Sequence, residues 1–169
     1  MQPTSKAPDT MSQRIDYMQQ SPELFKKFSA FSGALGTCAI EAPTRLLVDI
    51  RASQLNGCAF CLDMHVKQAR LAGERELRLH HVAIWRESPL FSERERAALA
   101  WTEVLTRLPA DGVGDEDFEA ARSHFSDKEL SDLSFVVMSI NAWNRVNAAF
   151  RSVPGSLDKA FGLDKADLH

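Results

Sequence analysis

The sequence predicts an all-α fold. Apolar residues recur at helical spacing through most of the chain, two Ser-x-x-Glu capping boxes open apolar runs, and no segment alternates with period two for long enough to be a strand. These signals place an α-helical bundle of about six to eight helices over residues 21–150. A polar, proline-containing arm over 1–20 precedes it, free to pack on a partner subunit, and a turn with a weak terminal helix or tail over 151–169 follows.

The elements follow in order. Ser21-Pro22-Glu23 offers an N-cap with proline at the first helical position, and Leu24, Phe25, Phe28, Phe31 and Leu35 then recur on one face. A second helix starts near Pro43 and runs through Leu46, Leu47, Ile50 and Leu55 until Asn56-Gly57 punctuates it. The stretch from Ala59 to Ala72 is helical, with Gly73 marking its end. Ser92 and Glu95 form the first capping box, ahead of Ala97, Trp101, Val104, Leu105 and Leu108. Pro109 and Asp111-Gly112-Val113-Gly114 break the chain before a short helix over 116–124. Ser126 and Glu129 form the second box, with Phe125 and Leu130 placed as a hydrophobic staple. The face that follows carries Leu130, Leu133, Val137, Ile140 and Asn144.

Composition narrows the function classes. With 20 Lys plus Arg against 23 Asp plus Glu in 169 residues, the net charge is −3, and no basic stripe of the nucleic-acid-binding kind is present. A chain of this length buries about 70% of its unfolded surface, so it needs no disulfide framework to fold. No run of 18 apolar residues occurs and the first residues lack a signal-type apolar core, so no membrane partner and a cytoplasmic location are expected. In a reducing compartment, three cysteines point to chemistry, metal or plain burial before they point to staples.

The informative segment is RASQLNGCAFCLDMH, residues 51–65. Cys58 and Cys61 are three apart and His65 is four further on, so one helical ridge presents all three. Two thiols at that spacing reach each other if the first lies at the helix end, and Asn56-Gly57 supplies such an end. The helix N-terminus favours thiolate at Cys58 first, while Cys61 is the nearer in register to His65, which can take the thiol proton. A thiolate, a base and a second thiol suffice to reduce a peroxide: attack on the O–O bond gives a sulfenic acid, the second thiol condenses with it, and an external dithiol resets the pair.

Plainer readings compete. A structural zinc site needs four ligands, and no second CxxC or His-x3-His pair accompanies this one, with Cys38 the candidate fourth, so no metal is expected; Cys38 itself reads as structural. A thioredoxin-like site would need βαβ flanks, which are missing. His80 and His81 read as core-edge or interface residues, Trp85, Trp101 and Trp143 as packing residues whose indole N–H groups need partners, and Glu93, Glu95 and Glu103 as capping or solvating charges.

The run RASQLNGCAFCLDMHVKQARLAG (51–73) resembles the signature of the alkyl hydroperoxidase D-like (AhpD-like) branch of the carboxymuconolactone decarboxylase superfamily, and WRESPLFSERERAALA (85–100) resembles the same branch. The resemblance implies an all-α protein that assembles as a dimer, trimer or hexamer and reduces alkyl or hydrogen peroxides without haem or flavin, so no cofactor is expected. It further implies that Cys61 attacks the peroxide, Cys58 resolves, and His65 belongs to a proton relay. Two positions depart from the family pattern: Leu46 stands where the family has a Glu, and Phe60 where it has a His inside the CxxC. Asp49, one turn from Leu46, is the candidate replacement carboxylate.

The expectation is therefore a thiol peroxidase, an oxidoreductase of antioxidant defence, with Cys61, Cys58, His65 and Asp49 as its catalytic set and a peroxide and an external dithiol as partners. The alternative is a redox-responsive dithiol protein or general disulfide reductase with little peroxidase turnover, motivated by the lost carboxylate at Leu46. Decarboxylase or lactone chemistry would leave the CxxCxxxH unexplained.

Overall fold

The computed structural model describes residues 12–168, and within them the secondary structure is helical. Seven helices exceed a single turn: α2 (Pro22–Ala34), α3 (Ala42–Asn56), α4 (Ala59–Leu71), α5 (Glu76–His81), α6 (Glu93–Thr106), α7 (Asp115–Arg122) and α8 (Asp127–Phe150). Single-turn helices α1 (Tyr17–Gln20) and α9 (Asp158–Phe161) flank them.

Helix α3 is the hub, packed against α4, α6 and α8. Its apolar residues explain this, because they face more than one way and a helix of that kind must be covered on several sides. Val48 enters a cluster with Trp101, Leu133 and Val137 from α6 and α8, while Leu47 and Ile50 enter another with Leu79, Val82, Trp85 and Leu99. Ala52 reaches a third, formed with Cys58, Phe60, Cys61 and Ile140.

Both capping boxes form. Ser92 and Glu95, and Ser126 and Glu129, exchange the reciprocal side-chain to backbone bonds that open α6 and α8. Phe125 and Leu130 are buried in one cluster, as a staple requires. The indole N–H groups of Trp85, Trp101 and Trp143 donate to Glu103, Ser134 and Ser32.

Three details differ from the sequence reading. Proline does open α2, but Ser21 makes no side-chain cap, its backbone lying at φ −133° and ψ 57°. Glu103 is no solvating charge: its side chain is 16% exposed and accepts from Trp85, Arg51 and Arg86. Burial pushes its carboxyl up, but those donors outweigh the burial and hold it below the ordinary range.

The third concerns the N-terminal arm. The described part of the arm is docked: the Arg14 N–H donates to the Phe150 carbonyl at 2.8 Å and the Tyr17 ring is buried. Residues 1–11 lie outside the described residues. At the other end, α9 is followed by a 3₁₀ turn that buries Leu163 and Ala166 against α4. Lys67, 7% exposed, clips this segment down by donating to Asp63 at 2.9 Å and Asp158 at 2.7 Å.

Candidate active site

The site begins with one turn. Gly57 takes the left-handed conformation (φ 63°), its N–H bonds Gln54 and the next N–H, of Cys58, bonds Ser53, which closes α3 in a Schellman motif. Glycine is required there because a Cβ penalises positive φ. The same turn delivers Cys58 as the N-cap of α4, where its sulfur accepts from the Cys61 N–H at 3.3 Å. Cys58 and Cys61 are paired as a disulfide, with Cα atoms 5.4 Å apart.

A buried amide network fixes this turn against α8. Asn56 donates to Asn141 and Asn144, both at 2.9 Å, Asn144 donates to Ser53 at 3.1 Å, and Asn141 donates to Thr106 at 2.9 Å. Buried amides cost stability unless satisfied, and mutual satisfaction here locks α3 and α8 into one register.

Cys61 and His65 line one pocket of about 240 Å³ together with Tyr17, Phe25, Phe60, Met64, Trp143, Asn147, Leu157 and Phe161. Aromatic and aliphatic groups make most of its wall. Both sulfurs are buried, but Cys58 is not among the lining residues. The imidazole is oriented from behind: Nδ1 is 2.8 Å from Gln68 Oε1 and 3.7 Å from an Asp49 carboxylate oxygen. Both contacts are made through Nδ1, so they orient the ring by that edge. Burial pushes the Asp49 carboxyl above its ordinary range, with His65 and Arg45 acting to lower it.

Of the four expected residues, the structure thus joins Cys58 to Cys61, places Cys61 and His65 in one pocket, and sets Asp49 behind His65. Leu46 packs in the α3–α6 core instead. Cys38 is a free thiol packed against a different cluster from the pair, and among the described residues no three His, Cys, Asp or Glu are grouped to hold a metal. His81 bonds Ser88 at 2.9 Å and exposed His80 lies 3.7 Å from Glu76, both away from the pocket.

Tyr17 and Asn147 line the pocket without having been expected as site residues, and Trp143, read from the sequence as a packing residue, is one of its walls. Asn147 continues the buried face of α8 three residues beyond Asn144, so a polar residue on an apolar stripe was its signal. Tyr17 had none.

Residues 22–104 match the model of the carboxymuconolactone decarboxylase family. The uncharacterized Bacillus subtilis protein YdfG is 39% identical over 139 residues, spanning 82% of this chain and 95% of its own. A crystal structure from Agrobacterium tumefaciens, of a protein of unknown function proposed to be an antioxidant defence protein AhpD, superposes with a TM-score of 0.81 at 40% identity over 85% of this chain and 98% of that one. The chain belongs to the AhpD-like branch of the carboxymuconolactone decarboxylase superfamily. An uncharacterized peroxidase-related protein from Silicibacter sp. TM1040 shares the AhpD-like architecture at greater distance, with a TM-score of 0.72 and 26% identity over 80% of this chain and 72% of that one. In this AhpD-like chain no helix among the described residues is long and apolar enough to cross a membrane.

Proposed function

We propose that the protein is a thiol peroxidase that reduces organic hydroperoxides through a Cys58/Cys61 dithiol–disulfide cycle. The observation that carries this reading is the position of Cys61: of the paired sulfurs it belongs to the residue that lines the apolar pocket, and His65 lines that pocket with it. Pocket access supports Cys61 as the attacking sulfur, whereas the helix terminus alone would favour Cys58.

In the reduced protein the Cys61 thiolate attacks the distal oxygen of ROOH. The O–O bond breaks, Cys61 becomes the sulfenic acid, and the alkoxide takes a proton and leaves as ROH. The Cys58 thiol then attacks the Cys61 sulfur, forming the disulfide and releasing water. Two electrons have passed from two thiols to the peroxide. An external dithiol returns them by exchange and leaves as its own disulfide. His65 Nε2 is the group suited to move the protons, with Asp49 and Gln68 holding the ring. The predominance of aromatic and aliphatic walls supports an organic hydroperoxide over hydrogen peroxide, since burial of the organic group contributes roughly 25 cal/mol per Å². The exposed Phe135 and Met138 support self-association through a face of α8.

The test is consumption of cumene hydroperoxide by the reduced protein. Loss of two Cys58/Cys61 thiols per protomer, abolished in Cys61→Ser, is the expected result. Undiminished consumption in Cys61→Ser overturns the proposal. A second-order rate no better than that of a free thiol of equal pKa favours the redox-responsive alternative, which the Leu46 position motivates.

A further inference from the structure

The proposed cycle sets an electrostatic problem. Cys58 sits at the helix N-cap, where its sulfur receives a backbone N–H, whereas Cys61 lies one turn inside and is only 2% exposed. Burial disfavours a thiolate, so a reactive Cys61 needs its own donor.

That donor is on α8. Asn147, 4% exposed, directs Nδ2 at Cys61 Sγ from 3.7 Å. The amide's orientation is determined by its neighbours. Nδ2 lies 3.0 Å from the Trp143 carbonyl, which can only accept, so a flipped amide would turn its oxygen against that carbonyl and against the sulfur. Oδ1 is therefore the atom facing Tyr17, whose hydroxyl donates to it at 3.1 Å. Tyr17 arrives from 130 residues away in sequence and is itself held by edge and tilted contacts with Phe25, Trp143 and Phe150. A donor on the amide oxygen also polarises the amide and strengthens its N–H groups.

We propose that Asn147 is a catalytic amide that stabilises the Cys61 thiolate by an N–H···S hydrogen bond, and that Tyr17 is the positioning residue that holds this amide in place from the N-terminal segment. The use made of that thiolate rests on the peroxidase reading; the stabilisation rests on the geometry alone.

The experiment is pH-dependent alkylation of Cys61 with iodoacetamide, read by mass spectrometry in reduced protein carrying Cys58→Ser, where serine keeps a capping oxygen. Asn147→Leu raises the titration midpoint by about 1 to 2 pH units, which is about ten- to a hundredfold slower alkylation below it. Tyr17→Phe, which keeps the ring and its packing, moves it in the same direction by less. Circular dichroism verifies folding. A folded Asn147→Leu protein with an unmoved midpoint overturns the proposal, and if that variant does not fold, an unmoved midpoint in Tyr17→Phe overturns it. A purely structural role predicts earlier unfolding with the thiol titration unchanged. Shifted midpoints in a protein that consumes no peroxide uphold the amide's role and overturn the peroxidase reading; peroxide consumption with unmoved midpoints does the reverse.

Discussion

Removing the charge of Lys67 tests how the tail is held over the active-site helix. Lys67 Nζ bonds Asp63 on its own helix and Asp158 on α9, and the Gly155 N–H adds a bond to Asp63 at 3.0 Å. In Lys67→Met the unbranched stem is kept but the ammonium is lost, and two carboxylates that shared it now face each other. At an effective dielectric constant of about 20, like charges about 5 Å apart repel by about 3 kcal/mol. Asp63 and Asp158 are 27% and 18% exposed, so water and side-chain rotation relieve part of this, leaving a loss of about 2 to 3 kcal/mol. With a urea m-value of about 2 kcal/mol per M, the midpoint falls by about 1 M or slightly more. The pH dependence adds a sign. Burial lowers the ammonium's pKa, but the bonds to Asp158 and Asp63 outweigh it and the net shift is upward. The stabilisation is then complete below the ordinary lysine value and is lost as pH rises through the raised folded one, so the gap between parent and variant closes in strong alkali. Leu157 and Phe161 wall the pocket, so Cys61 alkylation in the variant also accelerates as this segment lifts. A midpoint within about 0.2 M of the parent's, about 0.4 kcal/mol at that m-value, would refute the reasoning.

Asp49→Asn is expected to lower the peroxide rate while raising stability at neutral pH. Because burial holds the folded carboxyl above its unfolded value, the native state bears a penalty at pH values above the folded pKa that vanishes below the unfolded one; the urea midpoints of parent and variant therefore differ at pH 7 and converge toward pH 4. Ser126→Ala costs about 1 kcal/mol by removing a capping box, measured as a drop in thermal midpoint. The bonds from Ser126 and Arg94 hold Glu129 down at about 2, so the stabilisation it provides is present above its ordinary value of 4.5 and fades as pH falls toward 2; Glu129→Gln flattens that acid limb in a pH-resolved unfolding series.

Local chemistry made the long helices legible. Ser126 and Glu129 announce α8 because a capping box is complete within four residues, and Asn56-Gly57 announces the turn because positive φ selects glycine. The ridge of Cys58, Cys61 and His65 was readable for the same reason, being set by helix geometry alone. What escaped depends on contacts distant in sequence. Tyr17 lies in a one-turn helix within a polar segment, and its burial is decided by Trp143 and Phe150, far along the chain. Glu103 reads as one more charged residue on α6 until Arg51 and Trp85 are brought to it from other elements. The carboxylate missing at Leu46 shows the converse: spacing nominated Asp49, and the fold sets it 3.7 Å from His65 Nδ1.

The most direct test of the account is to find which sulfur first receives oxygen. Cys58→Ser and Cys61→Ser proteins, reduced and then treated with stoichiometric cumene hydroperoxide in the presence of a sulfenic-acid trap, are compared by peptide mass spectrometry. Rapid trapping on Cys61 in the first protein, with Cys58 in the second reacting no faster than a free thiol, is the predicted result. Equal or faster oxidation of Cys58 would contradict the assignment of the pocket-lining sulfur as nucleophile.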